Sequence, residues 1–175
     1  MPTPLRQLWK SLGIPADYAQ RRHLPVQRVA RSLVSIGPAA DDGQPLKLAP
    51  RAARAWRTMQ AAAAAEGVQL LPLSGYRSVA RQTRLIRRKL AAGRSIDSIL
   101  RYVAAPGCSE HHTGRALDIG APGELELSDL FARTAEYRWL RRHAGRFGFH
   151  LSYPRKNPHG IGYEPWHWCW RAGRL

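Results

Sequence analysis

SEHHTGRALD, residues 109–118, is the stretch on which the reading of this chain turns. It sets two histidines ahead of a glycine and ends on Asp118, a carboxylate held between the apolar Leu117 and Ile119. Burying a carboxylate between apolar neighbours is costly unless a positive charge compensates it. His111 and Asp118 are seven residues apart, and an odd separation on one straight strand sends two side chains to opposite faces. A turn at Gly114 removes that obstacle. His111 then leaves a loop, Asp118 projects from the strand behind it, and both reach one point. A metal ion at that point is the charge that Asp118 requires.

Working outward, the next fragment of this chemistry is YEPWHW, residues 163–168. A catalytic zinc takes three protein ligands from His, Asp or Glu and keeps a fourth position for water. His111, Asp118 and His167 supply that set. Glu164 lies three residues before His167, and Pro165 biases it towards an extended backbone, so it can approach the water without being a ligand. A carboxylate so placed takes a proton from the attacking water and later hands it to the leaving amine. Arg77, in SGYRS, follows a short apolar run. Its permanent charge and forked shape suit either a developing oxyanion or a substrate carboxylate.

These fragments resemble a known family. SGYRS with Gln82 behind it, then Ser109, His111, Gly114, Ala116 and Asp118 in the pattern S-x-H-x-x-G-x-A-x-D, then EPWHW from Glu164 to Trp168, are similar to the VanY-type zinc D-alanyl-D-alanine carboxypeptidases. The similarity covers roughly residues 50–170. It implies the α+β fold shared by Hedgehog and the DD-peptidases, a small antiparallel sheet with helices packed on it. One Zn²⁺ is implied as cofactor, and removal of the terminal D-Ala from peptidoglycan stem peptides as activity. Carried over by position, His111, Asp118 and His167 are the ligands, Glu164 the base and Arg77 the carbonyl-polarising residue, while Ser109 and Gln82 line the substrate site. Two other readings stay open: an L,D-carboxypeptidase or peptidoglycan endopeptidase of the same fold, and a non-catalytic basic module that binds the envelope. The presence of Glu164 argues against the last.

Composition bounds the partners. The 175 residues fit one core, and a chain of that size needs no disulfide staples. Lys and Arg number 28 against 12 acidic residues, a net charge of +16 that draws the chain towards polyanions such as envelope polymers. The basic residues are scattered from end to end rather than gathered in one reading element, so specific nucleic-acid recognition is not expected. No apolar run reaches the length of a membrane span. The first 20 residues are interrupted by Arg6, Lys10 and Asp17, so no cleavable secretory leader is expected in them. A monomer is expected, and the compartment is left open, with the implied substrate pointing to the cell envelope.

Six prolines mark residues 1–48 as an N-terminal extension with short helices over Leu5–Leu12 and Val26–Ile36 and a turn at Asp42 and Gly43. Residues 49–175 read as the zinc peptidase domain. Helices are expected over Pro50–Glu66, Val79–Ala92, Asp97–Val103 and Leu127–Phe147, and strands over Val68–Leu73 and Arg115–Gly120, with two more near the C-terminus. Trp166, Trp168 and Trp170 alternate with His167 and Cys169, the period of a strand with one core face. Glu110 reads as a solvated loop carboxylate, with a supporting partner to the ligands as the alternative, and His112 as a wall or supporting residue. His23, His143, His150 and His159 read as packed or surface side chains. Cys108 and Cys169 read as packed thiols, with their pairing left open.

Overall fold

The computed structural model describes residues 1–172, so the last three positions of the expected 49–175 domain lie outside the described residues. Helices α1 (Thr3–Ser11) and α2 (Tyr18–Arg21) precede a hairpin of β1 (Val34–Pro38) and β2 (Pro45–Leu48). Then follow α3 (Pro50–Ala65), β3 (Leu71–Ser74), α4 (Val79–Ala91), α5 (Ile96–Leu100), β4 (Ala116–Gly120), α6 (Ala135–His143), β5 (Phe149–Leu151) and β6 (His167–Trp170). The main sheet has four antiparallel strands in the order β3-β4-β6-β5. Helices and strands follow one another along the chain, but every pairing in the sheet is antiparallel, the α+β arrangement expected from the sequence.

The register of the central pair positions the site. Ala116 faces Cys169, Leu117 faces Trp168, and Asp118 faces His167. Side chains alternate across a sheet, so Asp118 and His167 share one face while Leu117 and Trp168 share the other. Leu117, Ile119 and Trp168 are buried in the main apolar cluster with the α3 stripe of Ala52, Ala53, Trp56, Met59 and Ala63. A slip of one residue would turn that apolar set out of the core, so burial on one face fixes the juxtaposition of polar groups on the other. Pro72 interrupts β3 where it does little harm, because β3 is an edge strand.

The flanking helices carry recognisable stops. Pro50 occupies the first turn of α3, and Gly67, at φ +74°, follows its end. Ser78 caps α4 by accepting from the Arg81 N–H at 3.1 Å.

Two expected helices are corrected. Over Val26–Ile36 there is no helix: the Gln27 and Ala30 amides donate to the carbonyls of Gly107 and His112 at 2.7 and 2.8 Å, and Val34 to Ile36 enter β1. Those long-range partners and the pairing of Val34 with Leu48 replace the intrahelical bonds. The single helix expected over Leu127–Phe147 is three pieces: a 3₁₀ turn at Asp129–Arg133, α6, and a second 3₁₀ turn at Ala144–Phe147. Thr134 breaks it. Its backbone is extended, and its hydroxyl accepts from the Tyr137 N–H, starting a new helix.

Residues 1–24 pack against α4, α5 and the loop that follows them. Trp9, Leu12, Ile14, Tyr18 and Leu24 bury against Ile86, Ile99, Leu100, Ala105 and Cys108 in a second apolar cluster. The Trp9 indole donates to the Pro106 carbonyl at 2.8 Å, and the Ala105 N–H donates to the Tyr18 hydroxyl at 3.4 Å. The extension therefore braces the loop that leads into His111. Among the described residues no helix is long and apolar enough to cross a membrane.

Candidate active site

His111 sits in a 3₁₀ turn, Glu110–Thr113, that ends at Gly114 with φ +65°. A Cβ at Gly114 would also lie 2.9 Å from the Ala49 nitrogen, so both the turn and the close approach require glycine. This reversal brings His111 back over β4, where its Nε2 stands 3.3 Å from Asp118 Oδ2. From β6, His167 Nδ1 stands 3.0 Å from Asp118 Oδ1. The three side chains are buried, and among the described residues they form the one group of three able to hold a metal ion, their ligand atoms within 4.8 Å of one another.

The hydrogen bonds at the far side of each ring test whether a cation belongs there. His111 Nδ1 is 2.7 Å from the Gly75 carbonyl, which can only accept, so that nitrogen holds the hydrogen and Nε2 presents a lone pair. His167 Nε2 is 3.0 Å from Glu110 Oε2 and donates to it, leaving Nδ1 to face Asp118. Two imidazole nitrogens and a carboxylate thus converge, and each contact needs a proton or a cation between acceptors. Burial holds His111 below its ordinary range, with Asp118 opposing, so a proton is poorly kept there. One divalent ion satisfies all three at once. Ligands about 2.0–2.1 Å from a tetrahedral zinc stand roughly 3.3 Å apart, close to the spacings seen around Asp118. The donor set fits Zn²⁺.

The carboxyl groups around this cluster differ in state. Burial works to raise Asp118, yet the facing His111 and His167 carry it well below the usual carboxylate range. Glu164, buried and 3.9 Å from His167 Nδ1, is pushed up to about 8 by burial, with His167 opposing. Glu110 is lowered to about 2: burial opposes, but the hydrogen bonds from His167 and Ser152 prevail. His167 itself is raised to about 10, against its burial, by Asp118 and Glu110.

Arg77 approaches from the segment between β3 and α4. Its Nη2 is 3.7 Å from Asp118 Oδ2 and 3.2 Å from Ser74 Oγ, and its Nη1 donates to Gln82 Oε1 at 3.1 Å. Gln82 is engaged at both ends, since its amide nitrogen donates to the Ala104 carbonyl at 2.7 Å. Ser109 is buried and lines the same groove, a cavity of about 1170 Å³ that also reaches Glu164, Trp166 and Tyr153. All seven site residues expected from the sequence border this cavity.

Glu110 takes the supporting role that the sequence left as its alternative. It is a half-buried acceptor for the His167 ring and not a solvated loop carboxylate, and the Ser152 hydroxyl donates to it from beyond β5. His112 is fully buried: its Nδ1 donates to the Arg77 carbonyl at 2.6 Å, and its Nε2 accepts from the Gly107 N–H at 3.1 Å. It ties the Arg77 segment to the loop before His111. Sequence reasoning missed Tyr153, whose ring lies 4.9 Å from that of His167. Only the adjacency of Glu110 and His112 to His111 hinted at these roles. Cys108 and Cys169 are free, buried thiols, so no disulfide joins them.

Known proteins resemble this chain in sequence and fold. YodJ of Bacillus subtilis (strain 168) is 40% identical over 120 residues, which cover 66% of this chain and 43% of YodJ. The chain therefore spans less than half the length of that relative. The solved LdcB LD-carboxypeptidase is 33% identical at a TM-score of 0.72, covering 83% of this chain and 71% of its own. A VanY D,D-pentapeptidase variant from a VanB-type resistance cassette, in complex with Zn(II), is 29% identical at a TM-score of 0.63, covering 84% and 82%. The profile of the VanY D-alanyl-D-alanine carboxypeptidases matches residues 45–173, from β2 to beyond β6 and across every residue of the cluster, and the chain belongs to that family.

Proposed function

We propose that the chain is a zinc-dependent D-alanyl-D-alanine carboxypeptidase that removes the terminal D-Ala from peptidoglycan stem peptides. His111 Nε2, Asp118 and His167 Nδ1 are the ligands. A zinc ion held there polarises the scissile carbonyl and makes water acidic enough to lose a proton near neutral pH. Glu164 takes that proton and returns it to the leaving amine, a transfer suited to a buried carboxyl group that lies beside the ligand atoms and has no side-chain hydrogen bond among the described residues. Arg77, held by Gln82 and Ser74, offers its fork to the developing oxyanion or to the substrate's terminal carboxylate. Gln82 acts by orienting Arg77, and Ser109 lines the groove. Residues 49–175 form the peptidase domain and the first 48 brace it as a monomer; the net charge of +16 favours contact with anionic envelope polymers.

The observation that carries this reading is the placement of Glu164. It is the one buried carboxyl group beside the ligand atoms that has no side-chain hydrogen bond among the described residues, and it faces the same His167 nitrogen as the cluster does. The similarity to LdcB favours a second reading, L,D-carboxypeptidase action. A stem pentapeptide and a stem tetrapeptide, each incubated with and without chelator and weighed by mass spectrometry, separate them. Release of D-Ala from the pentapeptide alone supports the first, release from the tetrapeptide alone supports the second, and release from neither rejects both.

A further inference from the structure

One wall of the groove carries charge that the proposed reaction does not use. Arg81, Arg84 and Arg88 are spaced by three and four residues, so they fall on one side of α4. Each is exposed, and each lines the groove that holds the ligand cluster. Among the described residues, the arginines paired with acids are Arg21, Arg77, Arg155 and Arg171, and none of the three on α4 is. Arg87, on the neighbouring side of α4, and Lys89 and Arg94 line the same groove. Crowding is evident at Lys89, whose ammonium is held below its ordinary range by burial and then by Arg94 and Arg88. The acidic groove residues away from the cluster, Asp41, Asp42 and Asp129, belong to other elements. Asp42 accepts from the Gln44 N–H, and Asp129 pairs with Arg155.

The dimensions of this row match a peptide. At about 1.5 Å of rise per residue, Arg81 to Arg88 spans about 10 Å, the length of roughly three residues of extended chain. The start of α4 is adjacent to Arg77, which contacts Asp118, so the row leads away from the cluster. In a carboxypeptidase a single residue lies beyond the scissile bond. With Arg77 at the scissile carbonyl, a peptide extended along α4 lays its upstream part there.

Resting on the carboxypeptidase reading, we propose that Arg81, Arg84 and Arg88 select stem peptides whose residues upstream of the scissile bond carry free carboxylates. A guanidinium fork matches a carboxylate in shape and charge, and a neutral amide or an amine at the same position offers no such partner.

Two stem pentapeptides, identical except that the third residue ends its side chain in a carboxylate or in the primary amide, test this with the zinc-loaded full chain. The carboxylate form is expected to have a kcat/KM about tenfold higher at low salt, carried mainly by KM, as a few exposed ion pairs allow. The preference shrinks at 0.5 M salt, where exposed charges are screened. Replacing Arg81, Arg84 and Arg88 together by Gln brings the ratio near one, with circular dichroism melts checking the fold. A wild-type ratio near one, which a wall built for phosphates elsewhere on a precursor would also give, overturns the proposal, and so does a ratio that survives in the triple variant. Should that variant not fold, a wild-type ratio insensitive to salt overturns it instead. If neither peptide is cleaved, the carboxypeptidase reading fails separately. Calorimetric binding of the two peptides then decides the selectivity, with equal affinities counting against it.

Discussion

Glu110 and Glu164 both reach the His167 ring, one at each nitrogen, yet they are driven in opposite directions. On the Nε2 side, Glu110 is half-buried and accepts hydrogen bonds from the ring and from Ser152, and it falls to about 2. On the Nδ1 side, Glu164 is buried at 5% exposure without a side-chain donor and is pushed up to about 8. Desolvation acts on both; the presence or absence of donors decides the sign. The first arrangement fixes a ring, and the second keeps a proton exchangeable.

The sharpest way to break this contrast is Glu164→Gln. Turnover is expected to fall about 10²–10⁴-fold, the usual range for losing a general base, while bound zinc stays at one per chain. Steady-state kinetics beside elemental analysis check it, and turnover at the wild-type rate would remove the role assigned to Glu164.

Next in size is a stability effect with opposite pH slopes. In metal-stripped protein, the Glu164 carboxyl is held near 8 in the fold against 4.5 when unfolded, so stability is lost as pH rises between those values. At pH 8 the loss approaches about 4 kcal/mol at 1.36 kcal/mol per pH unit. Stripped Glu164→Gln should therefore melt above the stripped wild type at pH 8, the two converging near pH 4. Glu110 works the other way: its contribution is present above 4.5 and lost as pH falls towards 2. Melting curves across that range in chelator test both limbs.

Glu110→Gln should weaken zinc binding about 10–100-fold, because the acceptor that orients His167 loses its charge. Competition with a chromophoric chelator measures the loss, and unchanged affinity would make Glu110 a bystander. The smallest effect belongs to Ser152→Ala, which removes one donor to Glu110 and costs about 1–2 kcal/mol of stability. It should also move the acid limb to higher pH, visible in the same melts.

Much of the site was legible because its residues obey short-range rules. Alternation in β4 and β6 sends Leu117 and Trp168 to the core, which leaves Asp118 and His167 together on the other face, and Gly114 supplies the reversal that brings in His111. The α3 boundaries followed from Pro50 and Gly67. What escaped depends on partners far away in sequence. The helix expected at Val26–Ile36 is absent because its amides serve Gly107 and His112. Glu110 looked solvated because its partner His167 lies 57 positions on. The break at Thr134 is a local signal that the apolar spacing of Leu130, Phe131 and Leu140 concealed: a hydroxyl able to cap outweighed helical periodicity.

Zinc-edge X-ray absorption on the purified full chain reports the identity and ligands of the ion at this site. One zinc per chain is expected, bound by nitrogen and oxygen at about 2.0–2.1 Å with the outer-shell scattering of two imidazoles, and that signal is expected to be lost in His111→Ala and His167→Ala. Zinc absent from carefully prepared protein, a sulfur shell near 2.3 Å that would place the ion on Cys108 or Cys169, or a signal unchanged in both variants would contradict it.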